Sequence, residues 1–452
     1  MLFRSINMYT AFFHFPILKY SFSIDVMIFA VFFCTLAAVI GTLFAIRRAA
    51  ILPPAEAMRA ESPSQFRRSF LERIGVHKQL SFLSRIVLRQ LERRPIRAFL
   101  SALGMAFALS ILVFSFFMKD SIDYLMDVQY DLTQREDVNI AFVEARPIRA
   151  LEEIKIMPGV NRVEPIRDVA ANLTFKHYTK RTAITGLNPN PDLRRIINQQ
   201  LEPVALPKEG LVINDKLAEI LHINVGDVLT VEVLEDKRPI LKIPVVAITQ
   251  EFIGLGAFMD IQALSTALDE SPKVTGASIS VDSNFKAVLY KKLKNIPAII
   301  GLNITSVMRQ IFEAIMAENL LKMVTTNIFF ASFISFGVIY NTARIALSER
   351  GRELASLRVL GLTRREVAYL LFGELGIITL LSIPLGIWIG TEMVFGMVAS
   401  LSSELFRIPA YLTKSTYGFA SLIVLLSASL SFYLVWRQVD QIDLVSAQKG
   451  IE

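Results

Sequence analysis

The sequence predicts an α-helical integral membrane protein of about five membrane-spanning helices, with a large extracytoplasmic α/β domain between the second and third helices. Three observations lead to this prediction. The chain of 452 residues is 53% hydrophobic and has a mean hydropathy of +0.47. Its apolar residues are concentrated in blocks of about 20, the length that a helix needs to cross a bilayer core. Between two of these blocks lies one long hydrophilic segment, residues 119–322.

Five apolar windows are long enough to cross a membrane. The fourth is longer than a span requires, which favours a tilted or kinked helix. The first is too long for the core of a signal peptide and ends at Arg47-Arg48 without a convincing cleavage site, so we interpret it as a retained helix. The five windows are residues 23–46, 98–118, 323–347, 367–397 and 417–436.

The distribution of charge predicts the orientation of these helices. Residues 47–97 carry 12 Lys and Arg against 4 Asp and Glu, and residues 344–366 carry 6 against 3. Residues 119–322 carry 24 against 27. This asymmetry is the positive-inside pattern, which places the two short basic stretches in the cytoplasm. Membrane topology therefore accounts for the net charge of +7 without a nucleic-acid partner.

The complete prediction alternates between the two sides of the membrane. Extracytoplasmic parts are the N-terminal segment 1–22, the domain 119–322 and the loop 398–416. Cytoplasmic parts are the linker 47–97, the segment 348–366 and the tail 437–452.

Residues 80–94 of the linker have apolar residues at helical spacing, with arginines between them. This pattern predicts a basic amphipathic helix, which can lie on the inner membrane surface or pack against a partner protein.

The segment 119–322 mixes two hydrophobic patterns. VNIAFVEA, LTVEVL and ILKIPVVAIT are rich in β-branched residues and predict strands, whereas RALEEIKIM and FKAVLYKKLKNI predict amphipathic helices. The segment has no catalytic motif, and its carboxylates form no recognisable group.

Enzymatic motifs are also missing from the rest of the sequence. It contains no GxxxxGK[ST] phosphate-binding loop and no GxSxG nucleophile motif. The single Cys34 and four scattered histidines, His14, His77, His177 and His222, do not have the spacing of a metal site. We therefore expect a protein without enzymatic activity, metal or cofactor of its own.

The stretch SERGRELASLRVLGLTRREVAYLLFGE is the most informative local signal. Burying its charges in a bilayer would cost on the order of 20–30 kcal/mol, so it lies in water or at the membrane edge. Gly361 predicts a helix stop, and Thr363 with Glu366 predicts a capping box that starts the next helix. Leu347, Leu354 and Leu357 share one face of the first helix. The stretch is either a solvated loop or, as we favour, a docking surface for a cytoplasmic partner. Its other predicted docking residues are Glu349, Arg350, Arg352, Glu353 and Arg358.

Polar and small residues inside the fourth span are candidates for special roles. Gly386 and Gly390 form a small-xxx-small pair that permits close helix packing, and Pro384 favours a kink. Glu374 is an intramembrane carboxylate, which makes it a functional candidate or the partner of an arginine near the interface.

The same stretch resembles the segment after the second membrane helix of FtsX-like permeases, the MacB and lipoprotein-exporter type of ABC transporter subunit. The resemblance is carried by the motifs Glu349-Arg350, Arg352-Glu353-Leu354, Leu357-Arg358, Gly361 and Glu374. Residues 204–264 are similar to the extracytoplasmic core domain of that family, and the whole resemblance covers about 80–452.

The resemblance implies a permease subunit in the bacterial inner membrane that binds a dimer of cytoplasmic ABC ATPases. ATP and Mg²⁺ would be bound by those ATPases and not by this chain. Their closure would move the external domain through the membrane helices, exporting or extracting a lipid, lipoprotein, peptide or drug-like molecule. Other implied partners are membrane lipids and a periplasmic protein.

Residues 1–60 look like the end of a preceding permease repeat. On that reading the chain is the C-terminal repeat of a longer two-repeat permease, and its other half is a first-repeat fragment or a second copy. The alternative function is a membrane-anchored sensor or scaffold whose external domain binds a ligand without ATP.

Overall fold

The computed structural model describes residues 24–51, 81–93, 95–198, 200–401 and 407–439. The predicted segment 1–22, residues 52–80 of the predicted linker and residues 440–452 of the predicted tail lie outside the described residues. The chain divides into two compact units, Met1–Leu80 and Ser81–Glu452.

The first unit contains helix α1, Ile24–Ile51. Its apolar part within the described residues is Met27–Ile40. That stretch is shorter than the about 20 residues that a membrane span needs. The prediction that α1 crosses the membrane therefore stays a prediction, as does the likeness of residues 1–60 to a preceding repeat.

The second unit contains nine strands and nine helices within its described residues. In chain order they are α2 (Phe82–Arg93), α3 (Pro95–Met126), β1 (Val138–Pro147), α4 (Ala150–Lys155), β2 (Val160–Phe175), β3 (Tyr178–Leu187), β4 (Leu211–Asn214), α5 (Asp215–Leu221), β5 (Val228–Val233), β6 (Ile240–Thr249), β7 (Ala257–Asp260), α6 (Ile261–Ala267), β8 (Lys273–Val281), α7 (Lys286–Lys294), β9 (Ile299–Ile304), α8 (Thr305–Val359), α9 (Arg364–Leu401) and α10 (Lys414–Val439). A π-helical turn, Asp127–Thr133, follows α3.

Four helical segments among the described residues are long and apolar enough to cross a membrane. They are Pro95–Thr133, Thr305–Ser348, Arg364–Ser400 and Lys414–Arg437, and they contain the second to fifth predicted spans.

Two of these helices run well beyond the predicted spans. α3 continues past Met118 to Met126, and α8 begins at Thr305, far before the predicted residue 323. Hydropathy marks only the apolar part of a helix, and neither extension contains the Pro or Gly that would end it. The α/β domain accordingly occupies residues 134–304. It is connected to the predicted membrane spans by the extensions of α3 and α8.

α8 is long enough to connect both sides of a membrane. Its 55 residues, at about 1.5 Å each, extend about 80 Å, against about 30 Å for a bilayer core. The α/β domain joins its first residue, and the charged turn follows its last. These two parts therefore lie at opposite ends of one continuous helix.

The α/β domain combines a closed barrel with a small open sheet. Six strands follow one another in the order β3-β7-β4-β6-β5-β2, and β2 also pairs with β3, which closes the ring. The first half of β2 pairs instead with β8, in the four-stranded sheet β2-β8-β1-β9. The predicted strands VNIAFVEA, LTVEVL and ILKIPVVAIT are β1, β5 and β6.

Arg167 lies where β2 passes from the open sheet into the barrel. Its buried guanidinium pairs with Glu235 at 3.2 Å and with Glu270 at 3.2 Å. These carboxylates follow β5 and α6, so one arginine fastens two loops to the strand that both sheets share. A buried arginine is tolerated when carboxylates neutralise it in this way.

The helices pack around α3. Leu109, Leu112 and Val113 of α3 form a core with Ala331 of α8 and with residues of α10. α9 packs along the same helix, and its contacts are part of the candidate site.

Candidate functional site

The charged segment forms the end of α8, a tight turn and the start of α9. The Leu362 N–H donates to the Leu357 carbonyl at 3.1 Å, and the Gly361 N–H donates to the Arg358 carbonyl at 3.1 Å. Gly361 has a φ of +101°, a left-handed conformation that glycine adopts without a Cβ clash. These bonds satisfy the last carbonyls of α8 and end the helix.

Thr363 and Glu366 cap the start of α9. Glu366 Oε2 accepts hydrogen bonds from the Thr363 N–H at 2.7 Å and the Thr363 hydroxyl at 2.9 Å. The Glu366 N–H faces the Thr363 hydroxyl oxygen at 3.4 Å. This reciprocal arrangement is a capping box, and it fixes the direction in which the chain leaves the turn.

The turn presents apolar side chains to solvent. Val359 is 64% and Leu360 is 77% exposed, whereas Leu357 and Arg358 are half-buried. The Nε of Arg358 is buried and has no hydrogen-bond partner among the described residues. The side chains of residues 349–355, which include Glu349, Arg350, Arg352, Glu353 and Leu354, lie outside the described part. The backbone of that stretch is helical.

The amphipathic helix α2 packs on the start of α9. Val87 is buried and lies opposite Gly373, where an added Cβ would approach the Val87 Cγ2 within 3.1 Å. The hydroxyls of Ser84 and Tyr369 are 3.1 Å apart. One face of α2 is thus covered by its own chain, next to the half-buried Glu374.

Gly386 and Gly390 lie directly against α3. A Cβ on Gly386 would stand 2.7 Å from the Ala106 carbonyl oxygen and 2.9 Å from Leu109 Cβ. A Cβ on Gly390 would stand 2.9 Å from Val113 Cβ and 3.1 Å from Ser110 Cα. Two of these contacts involve backbone atoms of α3, so the pair of glycines sets the distance between the two helices.

Near its N-terminal end, far from the charged turn, α8 forms ion pairs with the π-helical turn that follows α3. Arg309 of α8 pairs with Asp131 at 2.8 Å and with Glu313 at 2.7 Å. The two helical extensions that carry the α/β domain are therefore held to one another by an ion-pair network.

The loop before α10 is fastened to α3 by polar and aromatic contacts. Asp120 of α3 accepts hydrogen bonds from the N–H of Thr413 at 3.0 Å and from its hydroxyl at 2.7 Å. The Ser121 hydroxyl donates to the Pro409 carbonyl at 2.8 Å. The rings of Tyr124 and Tyr411 stack at 4.4 Å.

The same loop also contacts the barrel through Arg407. Its guanidinium forms an ion pair with Asp215 at the start of α5, and its backbone N–H donates to the Phe252 carbonyl at 2.9 Å. Sequence reasoning missed this contact. The partners are 192 positions apart, and no local pattern marks either of them.

The described residues contain no group of three or more His, Cys, Asp or Glu side chains that could hold a metal ion. The structure thus defines a membrane protein with an α/β domain at one end of a helical bundle and a capped, partly apolar turn at the other.

Residues 326–443 of this protein match a family model described as FtsX-like permease C-terminal. The match confirms the resemblance to FtsX-like permeases, and it covers the membrane part of α8, the turn, α9 and α10. It supports a permease subunit of an ABC-type transporter, a class that implies a cytoplasmic ATPase partner. No curated protein sequence matches the chain significantly.

Two solved structures with some similarity to this chain contain only the extracellular or periplasmic part of a transporter. One is the extracellular domain of the noncanonic ABC-type transporter YknZ from Gram-positive bacteria, with 12% identity, a TM-score of 0.28 and coverage of 37% of this chain and 100% of that one. The other is the periplasmic region of MacB from Actinobacillus actinomycetemcomitans, with 9% identity, a TM-score of 0.29 and coverage of 40% and 95%. Both TM-scores are too low to establish a shared fold.

Proposed function

We propose that this chain is a permease subunit that couples ATP hydrolysis in a separate cytoplasmic ATPase to movement of its α/β domain. The observation that carries the proposal is the continuity of α8 from Thr305 at the domain to Val359 at the turn. A continuous helix of this kind can transmit a displacement of the turn to the α/β domain. ATP and Mg²⁺ belong to the ATPase in this scheme, and this chain contributes no catalysis.

The turn has the properties of a docking element. It combines the exposed Val359 and Leu360 with charged residues on both sides, and its caps hold it in one conformation. Apolar side chains that are exposed in a rigid turn can enter a pocket of a partner with little loss of conformational entropy.

An apolar groove favours a substrate with a hydrocarbon part. It has a volume of about 300 Å³ and lies between the helical extensions of α3 and α8. Its apolar lining includes Ile122, Met126, Phe312, Met316 and Leu320, and the charged Lys119, Asp123 and Glu313 also line it. A lipid, lipoprotein, hydrophobic peptide or drug-like molecule would meet this groove on leaving the outer half of the bilayer.

The principal test is reconstitution with an ATPase encoded nearby. We expect the two proteins to purify together and the ATPase rate in nanodiscs to change when this chain is present. The matched control is the same ATPase with empty nanodiscs. If no ATPase purifies with this chain and none changes its rate in its presence, the alternative of a membrane-anchored sensor or scaffold would be favoured.

A second permease subunit has a candidate surface on α8. Met308 and Ile311 are exposed on the extension of α8, and Ile311 is 49% exposed. Apolar residues on a solvated helix face favour packing against another helix. We propose that a second copy of this chain packs here, or else a separate first-repeat chain.

Cysteine crosslinking distinguishes these partners. In a Cys34→Ser background, Ile311→Cys is expected to give an oxidised product of twice the chain mass in membranes. Ile156→Cys, at an exposed position of the same domain, is the control. An Ile311→Cys product no more abundant than the Ile156→Cys product would argue against a homodimer through α8 and favour the separate chain.

A further inference from the structure

The chain connects the membrane helices directly to the open sheet of the α/β domain. α3 and its π-helical turn lead into β1, and β9 leads into α8. Both strands belong to the open sheet β2-β8-β1-β9. The chain then enters the barrel along β2 and leaves it through β7 and α6 to β8. The barrel therefore joins the membrane helices through the open sheet, and its own position against them depends on non-covalent contacts.

Arg407, in the loop before α10, supplies contacts of this kind. Its side chain is only 11% exposed and forms the ion pair with Asp215 at the start of α5. One of its guanidinium N–H groups faces the Gly254 carbonyl oxygen at 3.4 Å, and its backbone N–H donates to the Phe252 carbonyl at 2.9 Å. Arg407 thus contacts two separate segments of the barrel domain, namely the start of α5 and the loop between β6 and β7.

Asn214 binds these two barrel segments to each other. This fully buried residue is the last of β4, and its side-chain amide donates to the Gly254 carbonyl at 2.9 Å. Its backbone N–H donates to the Gly256 carbonyl at 2.9 Å, and its Oδ1 accepts from the Leu217 N–H at 2.9 Å, which caps α5. Asp215 and Gly254 are therefore held together independently of Arg407, so a force on this arginine acts on a connected part of the barrel.

The loop of Arg407 is also fixed to α3 and to the start of α10. Tyr124 of α3 stacks on Tyr411 of the loop at 4.4 Å and meets Phe252 of the barrel edge-on at 6.0 Å. Asp120 of α3 accepts two hydrogen bonds from Thr413, the residue before α10. The loop therefore joins the barrel to the place where α3 and α10 meet.

We propose that Arg407 is a positioning residue that attaches the barrel to the junction of α3 and α10, separately from the attachment of the open sheet to α3 and α8. Its ion pair with Asp215 fixes orientation as well as distance, because guanidinium and carboxylate groups pair in a preferred geometry. Without this pair the barrel keeps the apolar contacts of Phe252 with Leu125 and Val128, which are not directional. Loss of Arg407 should therefore loosen the barrel while the open sheet keeps its place.

This attachment gives the α/β domain a second connection to the helix bundle besides α8. A displacement of α10 would reach the barrel through Arg407, whereas a displacement of α8 would reach the open sheet through β9. Only this consequence for coupling rests on the proposed function. The attachment itself goes beyond that function and is tested without an ATPase.

Electron paramagnetic resonance distances on the full chain in nanodiscs test the attachment. In a Cys34→Ser background, one pair of spin labels spans the barrel and α10, at Val225→Cys and Lys414→Cys. A second pair spans the open sheet and α10, at Lys292→Cys and Lys414→Cys, because α7 packs on the open sheet. We expect a single narrow distance distribution for each pair when Arg407 is present.

The variants separate the ion pair from the remaining contacts. Arg407→Gln and Asp215→Asn should each broaden the distribution of the barrel pair and leave that of the sheet pair unchanged. Arg407→Lys keeps a positive charge opposite Asp215 and should retain most of the narrow distribution. The matched control is Arg149→Gln, which removes an exposed guanidinium from the same domain and should change neither pair.

Two results would overturn the proposal. If Arg407→Gln leaves the width of the barrel pair as in wild type, the apolar contacts alone position the barrel. If Arg407→Gln broadens both pairs equally, Arg407 stabilises the whole domain and does not act on the barrel in particular. No ATPase is present in this experiment, so its outcome is independent of the proposed coupling.

Discussion

Replacing Gly386 or Gly390 by leucine is expected to separate α9 from α3 and to prevent accumulation of the folded protein. At Gly386 even a methyl group would overlap the Ala106 carbonyl oxygen and the Leu109 Cβ. Because one of these atoms belongs to the backbone, a rotamer change cannot make room. Overpacking a well-packed contact costs about 1–3 kcal/mol, and a whole leucine between two helices belongs at the upper end or beyond it.

The measurement is the yield and thermal unfolding midpoint of each variant in detergent. Gly396→Leu is the matched control, since this glycine lies on the same helix with nothing within 4 Å of its Cβ position. We expect Gly396→Leu to unfold like wild type, Gly386→Ala to be intermediate and Gly386→Leu to be the least stable. Equal midpoints for Gly386→Leu and Gly396→Leu would contradict the close packing of α9 on α3.

Features that depend on neighbouring residues could be predicted from the sequence. The stop at Gly361 and the Thr363–Glu366 cap each involve positions within one turn, so their chemistry is visible in the sequence. The same holds for the spacing of Gly386 and Gly390, although the sequence does not say which helix they meet. Contact with α3 required the structure.

Features that depend on distant residues could not be predicted. The barrel pairs β3 with β7, and an ion pair joins Arg407 to Asp215, and neither pairing leaves a periodic signal. The helical extensions were missed for another reason. Hydropathy reports where a helix is apolar on all sides, whereas α8 continues as a helix of mixed apolar and charged residues, in which Arg309 pairs with carboxylates.

The largest functional effect is expected at the turn between α8 and α9. Val359→Asp combined with Leu360→Asp should abolish association with the ATPase, because both side chains are exposed and a charge there would be buried on docking. Loss of one well-packed apolar contact at the centre of an interface costs about 2 kcal/mol, which is about 30-fold in affinity. Arg352→Glu with Leu357→Asp tests the neighbouring helical part in the same way.

The measurement is the amount of ATPase that purifies with each variant and its rate in nanodiscs. Ile156→Asp controls for adding a charge at an exposed apolar position, since Ile156 is 82% exposed in the α/β domain, at the far end of the helices. We expect this control to bind the ATPase like wild type. The Val359→Asp, Leu360→Asp variant should fold with a normal thermal midpoint, because both side chains are largely exposed. Wild-type association in the two turn variants would show that the ATPase docks elsewhere, and the continuity of α8 would then connect the α/β domain to a surface other than the turn.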